Sequence, residues 1–405
     1  SAVTTNGYFV NTTSGVVTAN LPAGSAGDIV AFSDYAGTWQ TNAITLSPNG
    51  SELINGVGAD VVLATQGLSV TLVYVDGTIG WKNIDDATSN VTGTSPYIVA
   101  TGGTPCTGAI VGDYKVHTFT GPGTFCVSAE GAAAPCSGTG SNTVDYLVIA
   151  GAGSGGGGSA GGGGAGGYRE SPGTASGSYT VSPRGAAPAV ALSVPVAGYP
   201  ITVGAGAAAI GRGGGAPASA GSNSVFSTIT GSGGGSGGSV CRPVPEAKGQ
   251  DGGSGGGGSC APGSVQQPGG ASSPVTNPVQ GTAGGAARPG CGYAGGGGGG
   301  VICAGQAGQP GAAGAGGAGG TSNITNTPTQ RAGGGGGSSY PGSGSPVPGG
   351  AAGGGGGGVG MPGTGPLIDG TVNTGGGGGG GAGNSPGNPC CTGAGGSGVV
   401  IIRYK

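Results

Sequence analysis

Charge is scarce in this sequence: 6% of its 405 residues are Asp, Glu, Lys or Arg, and the net charge is −3. Such a balance gives no electrostatic reason to expect nucleic-acid binding or a polybasic membrane contact. There is one histidine, His117, and the cysteine spacings repeat no zinc pattern. No run of eighteen apolar residues occurs, so no segment reads as a membrane span. The first residues, Ser1-Ala2-Val3-Thr4-Thr5, lack the basic-then-apolar order of a secretory signal. No paired-carboxylate site, nucleophile constellation or metal cluster is defined by spacing. The chain therefore reads as non-enzymatic, with no cofactor and no metal. His117 lies inside a strand pattern without a catalytic partner and reads as structural.

What the chain has in abundance is glycine, 111 residues of it, together with 28 prolines. That share lies outside the ordinary globular range. Disorder usually accompanies high net charge and few apolar residues, whereas 35% of this chain is apolar. Uninterrupted glycine runs at 295–300, 333–337, 353–358 and 375–381 alternate with short segments that carry most of the side chains. Ordering such runs costs more backbone entropy than ordering any other sequence. They are therefore either loose linkers or segments packed against one another through backbone hydrogen bonds. Collagen is excluded because the strict glycine at every third position is missing. Calcium-binding β-helix repeats are excluded because Asp251 and Asp369 do not recur at a fixed period.

Residues 1–88 read as an ordinary β domain. Candidate strands at 8–10, 16–21, 28–32, 43–46, 69–75 and 80–84 are rich in β-branched and aromatic residues and separated by Gly, Asn, Pro and Asp. Phe32, Trp39, Tyr74 and Trp81 are the expected aromatic core, and Asp76-Gly77 the expected hairpin turn. Residues 89–143 read as a linker and joint, with a hairpin formed by 113–119 and 124–128 turning at Gly121-Pro122-Gly123. From 144 onward the chain is glycine-rich. Apolar strands at its two ends, Val144-Asp145-Tyr146-Leu147-Val148-Ile149 and Val399-Val400-Ile401-Ile402-Arg403-Tyr404, are expected to pair into a small sheet.

Nine cysteines suit disulfides between loops better than a metal site. Candidate pairs are Cys126 with Cys136, Cys241 with Cys260, and Cys291 with Cys303. The adjacent Cys390-Cys391 would bridge outward, Cys106 is left without a candidate partner, and connectivity stays open.

Two stretches carry a family resemblance. Gly7-Tyr8-Phe9-Val10, Leu21-Pro22-Ala23, Gly27-Asp28-Ile29-Val30 and Leu72-Val73-Tyr74-Val75 with Gly80-Trp81 resemble the β modules of trimeric bacteriophage tail fibres. The strand at 144–151, the run 161–169 ending Gly-Gly-Tyr-Arg, Thr202-Val203-Gly204-Ala205-Gly206, Gly221-Ser222-Asn223-Ser224-Val225-Phe226 and the closing 395–404 carry the second. These resemble the glycine-rich receptor-binding domains at tail-fibre tips. The resemblance implies an all-β N-terminal module plus a domain of packed polyglycine II helices on a small basal β-sheet, with essentially no α-helix. It further implies a virion tail-fibre adhesin, an upstream fibre partner, a homotrimer, and loops that bind a bacterial outer-membrane protein or glycan. The backbone physics agrees. A helix of three residues per turn with no internal hydrogen bonds turns every N–H and C=O outward, and neighbours reach those groups only if side chains do not intervene.

Eight runs, near 231–238, 252–258, 292–300, 310–320, 333–337, 349–358, 375–383 and 394–398, would alternate in direction and return the chain to the basal sheet. On that count 239–251, 301–309, 338–348 and 384–392 are distal loops, while 260–288, 321–331 and 359–373 are proximal. Tyr and Arg suit the centre of a contact surface. Arg242, Glu246, Lys248 and Tyr340, with Tyr168 and Arg169 after the first run, are the candidate receptor-contact residues. A structural extracellular filament and an ice-binding bundle are the alternative readings. The second requires a flat face of regularly spaced small residues or Thr, which the Pro, Gln and Ser interruptions do not supply.

Overall fold

The structure is a computed structural model. It describes all residues except 88–96, 132–141, 178, 211–216, 240–245, 262–264, 289–293, 340–349, 361–368 and 382–391. The chain forms two compact units, Ser1–Thr94 and Ser95–Lys405. The segment expected to be a separate joint, 89–143, therefore contributes its strands to the second unit.

The first unit is a two-sheet sandwich. β1 (Asn6–Val10), β3 (Ile29–Asp34), β6 (Ser69–Tyr74) and β7 (Trp81–Ala87) form one sheet in that order. β2 (Val17–Asn20), β4 (Ile44–Ser47) and β5 (Val61–Leu63) form the other. Period-two alternation in β3 and β4 sends Val30, Phe32, Ile44 and Leu46 inward, where they pack with Trp39 and Trp81. Tyr8 stacks on Phe32 at 5.6 Å and Tyr74 meets Trp81 edge-on at 5.5 Å, so the expected aromatic core forms. The β6–β7 connection differs from a tight Asp-Gly turn. The Asp76 carboxylate accepts the N–H groups of Thr78 and Ile79, both at 2.8 Å. The positive φ falls on Gly80 (+70°), where a Cβ would lie 1.8 Å from the Leu53 carbonyl oxygen.

The second unit is built on two further sheets. β13 (Tyr168–Glu170), β12 (Thr143–Ile149), β22 (Val399–Tyr404), β10 (Tyr114–Phe119) and β9 (Thr104–Val111) lie in that order, with β14 (Leu192–Ser193) added to β12. β17 (Ile229–Gly231), β16 (Ser224–Phe226), β15 (Ala197–Thr202), β11 (Gly123–Ala129) and β8 (Val99–Thr101) form the second. The chain termini of the glycine-rich region do pair: β12 and β22 are antiparallel neighbours, with Leu147 opposite Ile401. The expected 113–128 hairpin does not form. β10 pairs with β9 and β22, whereas β11 pairs with β15 and β8, so the chain crosses from one sheet to the other after Phe119. The apolar faces of both strands explain this, because Phe119 and Phe125 join one core between the sheets with Tyr146, Ile402 and Phe226.

β12 and β22 are buried along almost their whole length because both of their faces are covered, and Asp145 and Arg403 are their only charged residues. Val144, Tyr146 and Val148 face the core between the two sheets of this unit, while Leu147 and Ile149 face a second core with Ala165, Tyr168, Val301, Ile324 and Ala332. That second core seats the glycine segments on the sheet. His117 is fully buried in the first core: Nδ1 meets the Gly102 carbonyl at 2.6 Å and Nε2 the Tyr404 hydroxyl at 2.9 Å. Burial holds its pKa below the usual histidine value, so the neutral ring donates from Nδ1 and accepts at Nε2.

Candidate functional site

The glycine segments form a lattice whose hydrogen bonds repeat every third residue, the signature of polyglycine II packing. Residues 161–167 lie at its centre. Gly161, Gly164 and Gly167 donate to the carbonyls of Gly238, Gly235 and Ser232 at 2.8–3.0 Å. Gly162 and Ala165 donate to Gly296 and Gly299, and Gly163 and Gly166 to Gly378 and Gly375. Three other neighbours donate in return: Ala150, Gly153 and Gly156 from one, Ser254 and Gly257 from another, Gly335 and Ser338 from the third. The central segment thus has six neighbours and gives its N–H groups to three of them. A side chain here would destroy the contact, since a Cβ on Gly163 would lie 2.1 Å from the Gly153 oxygen.

The lattice has two unlike ends. At one end lies the sheet, where Ala150 pairs with Gly167 and where β16–β17 and the hairpin β20 (Gly320–Ser322) with β21 (Thr329–Arg331) turn the chain. At the other, Gly156 pairs with Gly161 across a reversal in which Gly158 and Ser159 take positive φ. Ser239 pairs with Glu246 there, and Arg288 with Ala294. The short ladder of β18 (Cys260–Ala261) with β19 (Val265–Gln266) and the Gln309–Ala312 turn lie at this far end too. So do Ser338, Gly381 and Thr392, which flank 340–349 and 382–391. This clustering of chain reversals on a rigid support makes the far end the candidate site.

The predicted contact residues divide between the ends. Glu246 is at the far end. Lys248 sits on the flank of the lattice and forms an exposed 3.3 Å ion pair with Asp251, whose carboxylate also accepts the Ala271 N–H. Arg242 and Tyr340 lie outside the described residues. Tyr168 and Arg169 do not belong to a distal loop. They form β13 at the sheet end, and Tyr168 is 1% exposed, donating its hydroxyl to Glu170 at 3.1 Å. The expectation failed because the reversal at Gly158-Ser159 divides what looked like one run into an outgoing and a returning segment.

The loop polarity changes because segments between the glycine runs also cross the lattice. Segments 231–239 and 252–259 run parallel, with Gly235 donating to Ser254 and Gly238 to Gly257. Between them 246–251 returns as a glycine-poor lattice member, Gln250 donating to Ser236. Residues around 267–273, 280–288 and 303–309 likewise run through the lattice, as the bonds of Gly284 to Gly270 and Gly305 to Ala283 record. The β18–β19 hairpin within 260–288 is therefore distal, not proximal.

Buried charge is concentrated at the sheet end. The Asp145 carboxylate accepts from Ser171 Oγ at 2.7 Å and from Ser176 N and Oγ at 2.8 and 2.6 Å. Glu170 accepts from Ser182 N and Oγ at 2.9 and 2.6 Å. Burial nevertheless raises the Glu170 pKa above the usual carboxylate value, and it raises Tyr404 to about 12. Arg403 lies over the Tyr114 ring at 4.0 Å. The two carboxylates tie the 171–182 segment to the sheet, and Arg403 packs across the β22–β10 pair. Among the described residues, no cluster of three His, Cys, Asp or Glu side chains could hold a metal.

Cys106, Cys126 and Cys303 are exposed free thiols. The bridges expected from Cys126 and Cys303 are accordingly not formed: Cys126 lies in β11 opposite Gly198 and Thr101, and Cys303 is hydrogen-bonded through its carbonyl to Gly300 at the sheet end. Cys260 lies in β18, while Cys136, Cys241, Cys291, Cys390 and Cys391 fall outside the described residues.

No curated protein matches this sequence. The sequence profile of the glycine-rich domain family matches residues 128–405, which takes in the lattice, both of its ends and the strands from β12 onward. The chain belongs to the glycine-rich domain family.

Proposed function

We propose that this chain is the receptor-binding tip of a bacteriophage tail fibre, a non-enzymatic adhesin of the virion. The first unit attaches it to an upstream fibre protein, in a homotrimeric arrangement. The far end of the lattice contacts an outer-membrane protein or glycan on a bacterial surface. The observation that carries this reading is the polarity of the lattice. The sheet and its buried charges occupy one end, while Ser239, Glu246, Ser338, Gly381 and Thr392 bring chain reversals together at the other.

A side-chain-free scaffold suits that task, because its stability does not depend on the sequence of the connections it carries. The test is to replace 240–245 and 340–349 with unrelated sequences of equal length and measure binding to a panel of bacterial cells, alongside the melting of the second unit. The expected outcome is a change in which cells are bound with melting unaltered. Unchanged binding to every strain would refute the assignment of the far end.

A further inference from the structure

The sandwich of the first unit is open along one side. β7 and β5 are the last strands of their respective sheets, and between them lies a cavity of about 490 Å³. Its walls are Leu46, Ile54, Val61, Leu63, Val70 and Leu72, and its rim carries Asp60 and Asp86. The volume is that of a ligand pocket, within the usual range of roughly 300–1,000 Å³. Val61 and Leu63 of β5 remain only half-buried although they face this core, because among the described residues nothing covers them from the open side.

The two edges are not equivalent. β7 carries Lys82, Asp85 and Asp86, and a register shift beside Ile84 interrupts its pairing with β6, features that discourage a further strand. β5 has no charged residue and no bulge, and among the described residues its backbone bonds run to β4 alone. The surroundings are acidic. Residues 1–94 contain seven Asp or Glu and a single basic residue, Lys82. Neither Asp60 nor Asp86 forms an ion pair among the described residues; Asp86 accepts only a 3.4 Å bond from Asn83.

We propose that the first unit accepts an extended cationic segment of a partner protein, added as a strand to the free edge of β5. The alternate apolar side chains of that segment fill the open cavity, and its Lys or Arg residues face Asp60 and Asp86. The backbone edge supplies affinity, the cavity selects apolar residues at every second position, and the carboxylates select charge. This bears on the attachment half of the proposed function, and its test does not involve the far end of the lattice. It can fail while cell binding at the far end stands, and the reverse.

The test uses the full chain and two synthetic peptides of alternating Val and Thr, one flanked by Lys and one by Glu. Calorimetric titration and amide hydrogen exchange are the readouts. The Lys peptide is expected to bind saturably and protect Val61–Leu63, with affinity at least about tenfold above that of the Glu peptide. The double substitution Asp60→Lys with Asp86→Lys, at exposed rim positions that the fold does not need, is expected to reverse that preference. Leu63→Trp, which fills the cavity, is expected to abolish binding of both. No saturable binding up to millimolar peptide would overturn the proposal. So would equal binding by the charge-reversed variant, protection of β1 in place of β5, or binding of dodecylammonium without binding of the peptide.

Discussion

The two units solve the same problem with opposite materials. The first unit is held by side chains: Trp39 and Trp81 are fully buried, and Val30, Phe32, Ile44 and Leu46 interdigitate between two sheets. The lattice of the second is held by its backbone, whose central segment 161–167 contacts neighbours on all six sides with almost no side chain between them. In the first, a core position requires volume and apolarity. In the second, it requires the absence of a Cβ. Where the lattice does admit a side chain it is small and occupied, as when Ser254 Oγ donates to Gly300 at 3.1 Å. The contrast shows that burial does not imply hydrophobicity when backbone groups satisfy one another.

Single substitutions should separate the two cores. Gly163→Val places a side chain 2.1 Å from a backbone oxygen that cannot move alone, and should cost the second unit about 3 kcal/mol or more. Gly7→Ala in the first unit, whose Cβ would meet only Ala31 Cβ at 3.9 Å, should change its stability by less than about 0.5 kcal/mol. Calorimetry of the full chain reads both. If Gly163→Val melted like the parent, the lattice would not be a core. Trp39→Ala should be the mirror image, costing about 3–5 kcal/mol in the first unit while the second melts as before. A matching drop in both transitions would show that the units do not fold separately.

Much of this contrast was legible in the sequence. Aromatic and β-branched residues between turn signals mark the sandwich, and 111 glycines with little charge mark the packed lattice. The closing strand 399–404 joins the sheet because its apolar residues match those of 144–149 on both faces. Three things were not legible. The reversal at Gly158-Ser159 is hidden because Gly158 takes its positive φ inside a glycine run, and Ser159, which also takes positive φ, carries no turn signal of its own. Segments such as 246–251 and 303–309 look like loops because they carry side chains, yet outer lattice members need glycine only where they face inward. The partition of 113–128 between two sheets depends on which apolar face finds which partner, and periodicity alone does not contain that information.

The smallest expected difference is in acid response. Burial pushes the Asp34 carboxyl up, but the N–H groups of Trp39, Gly67 and Thr38 outweigh it, and its pKa lies below the usual value. Its stabilisation of the first unit is present above the ordinary carboxylate pKa and is lost as pH falls through the lowered one. Glu170 has the opposite sign. Its raised pKa makes the folded second unit bind a proton more readily than the unfolded chain. That contribution is present below the ordinary carboxylate pKa and is lost as pH rises through the raised one. Melting of each unit against pH should flatten with Asp34→Asn in the first and Glu170→Gln in the second. Identical acid profiles for the parent and both variants would contradict these assignments.

A glycine segment forms the ordered core of the second unit. Amide hydrogen exchange of 161–167 in the full chain tests it most directly, because every N–H in that segment donates to a neighbouring backbone carbonyl. Protection as strong as that of the β12 and β22 amides is expected, lost only when the whole unit unfolds. Exchange at the rate of an open chain, with β12 and β22 still protected, would contradict it.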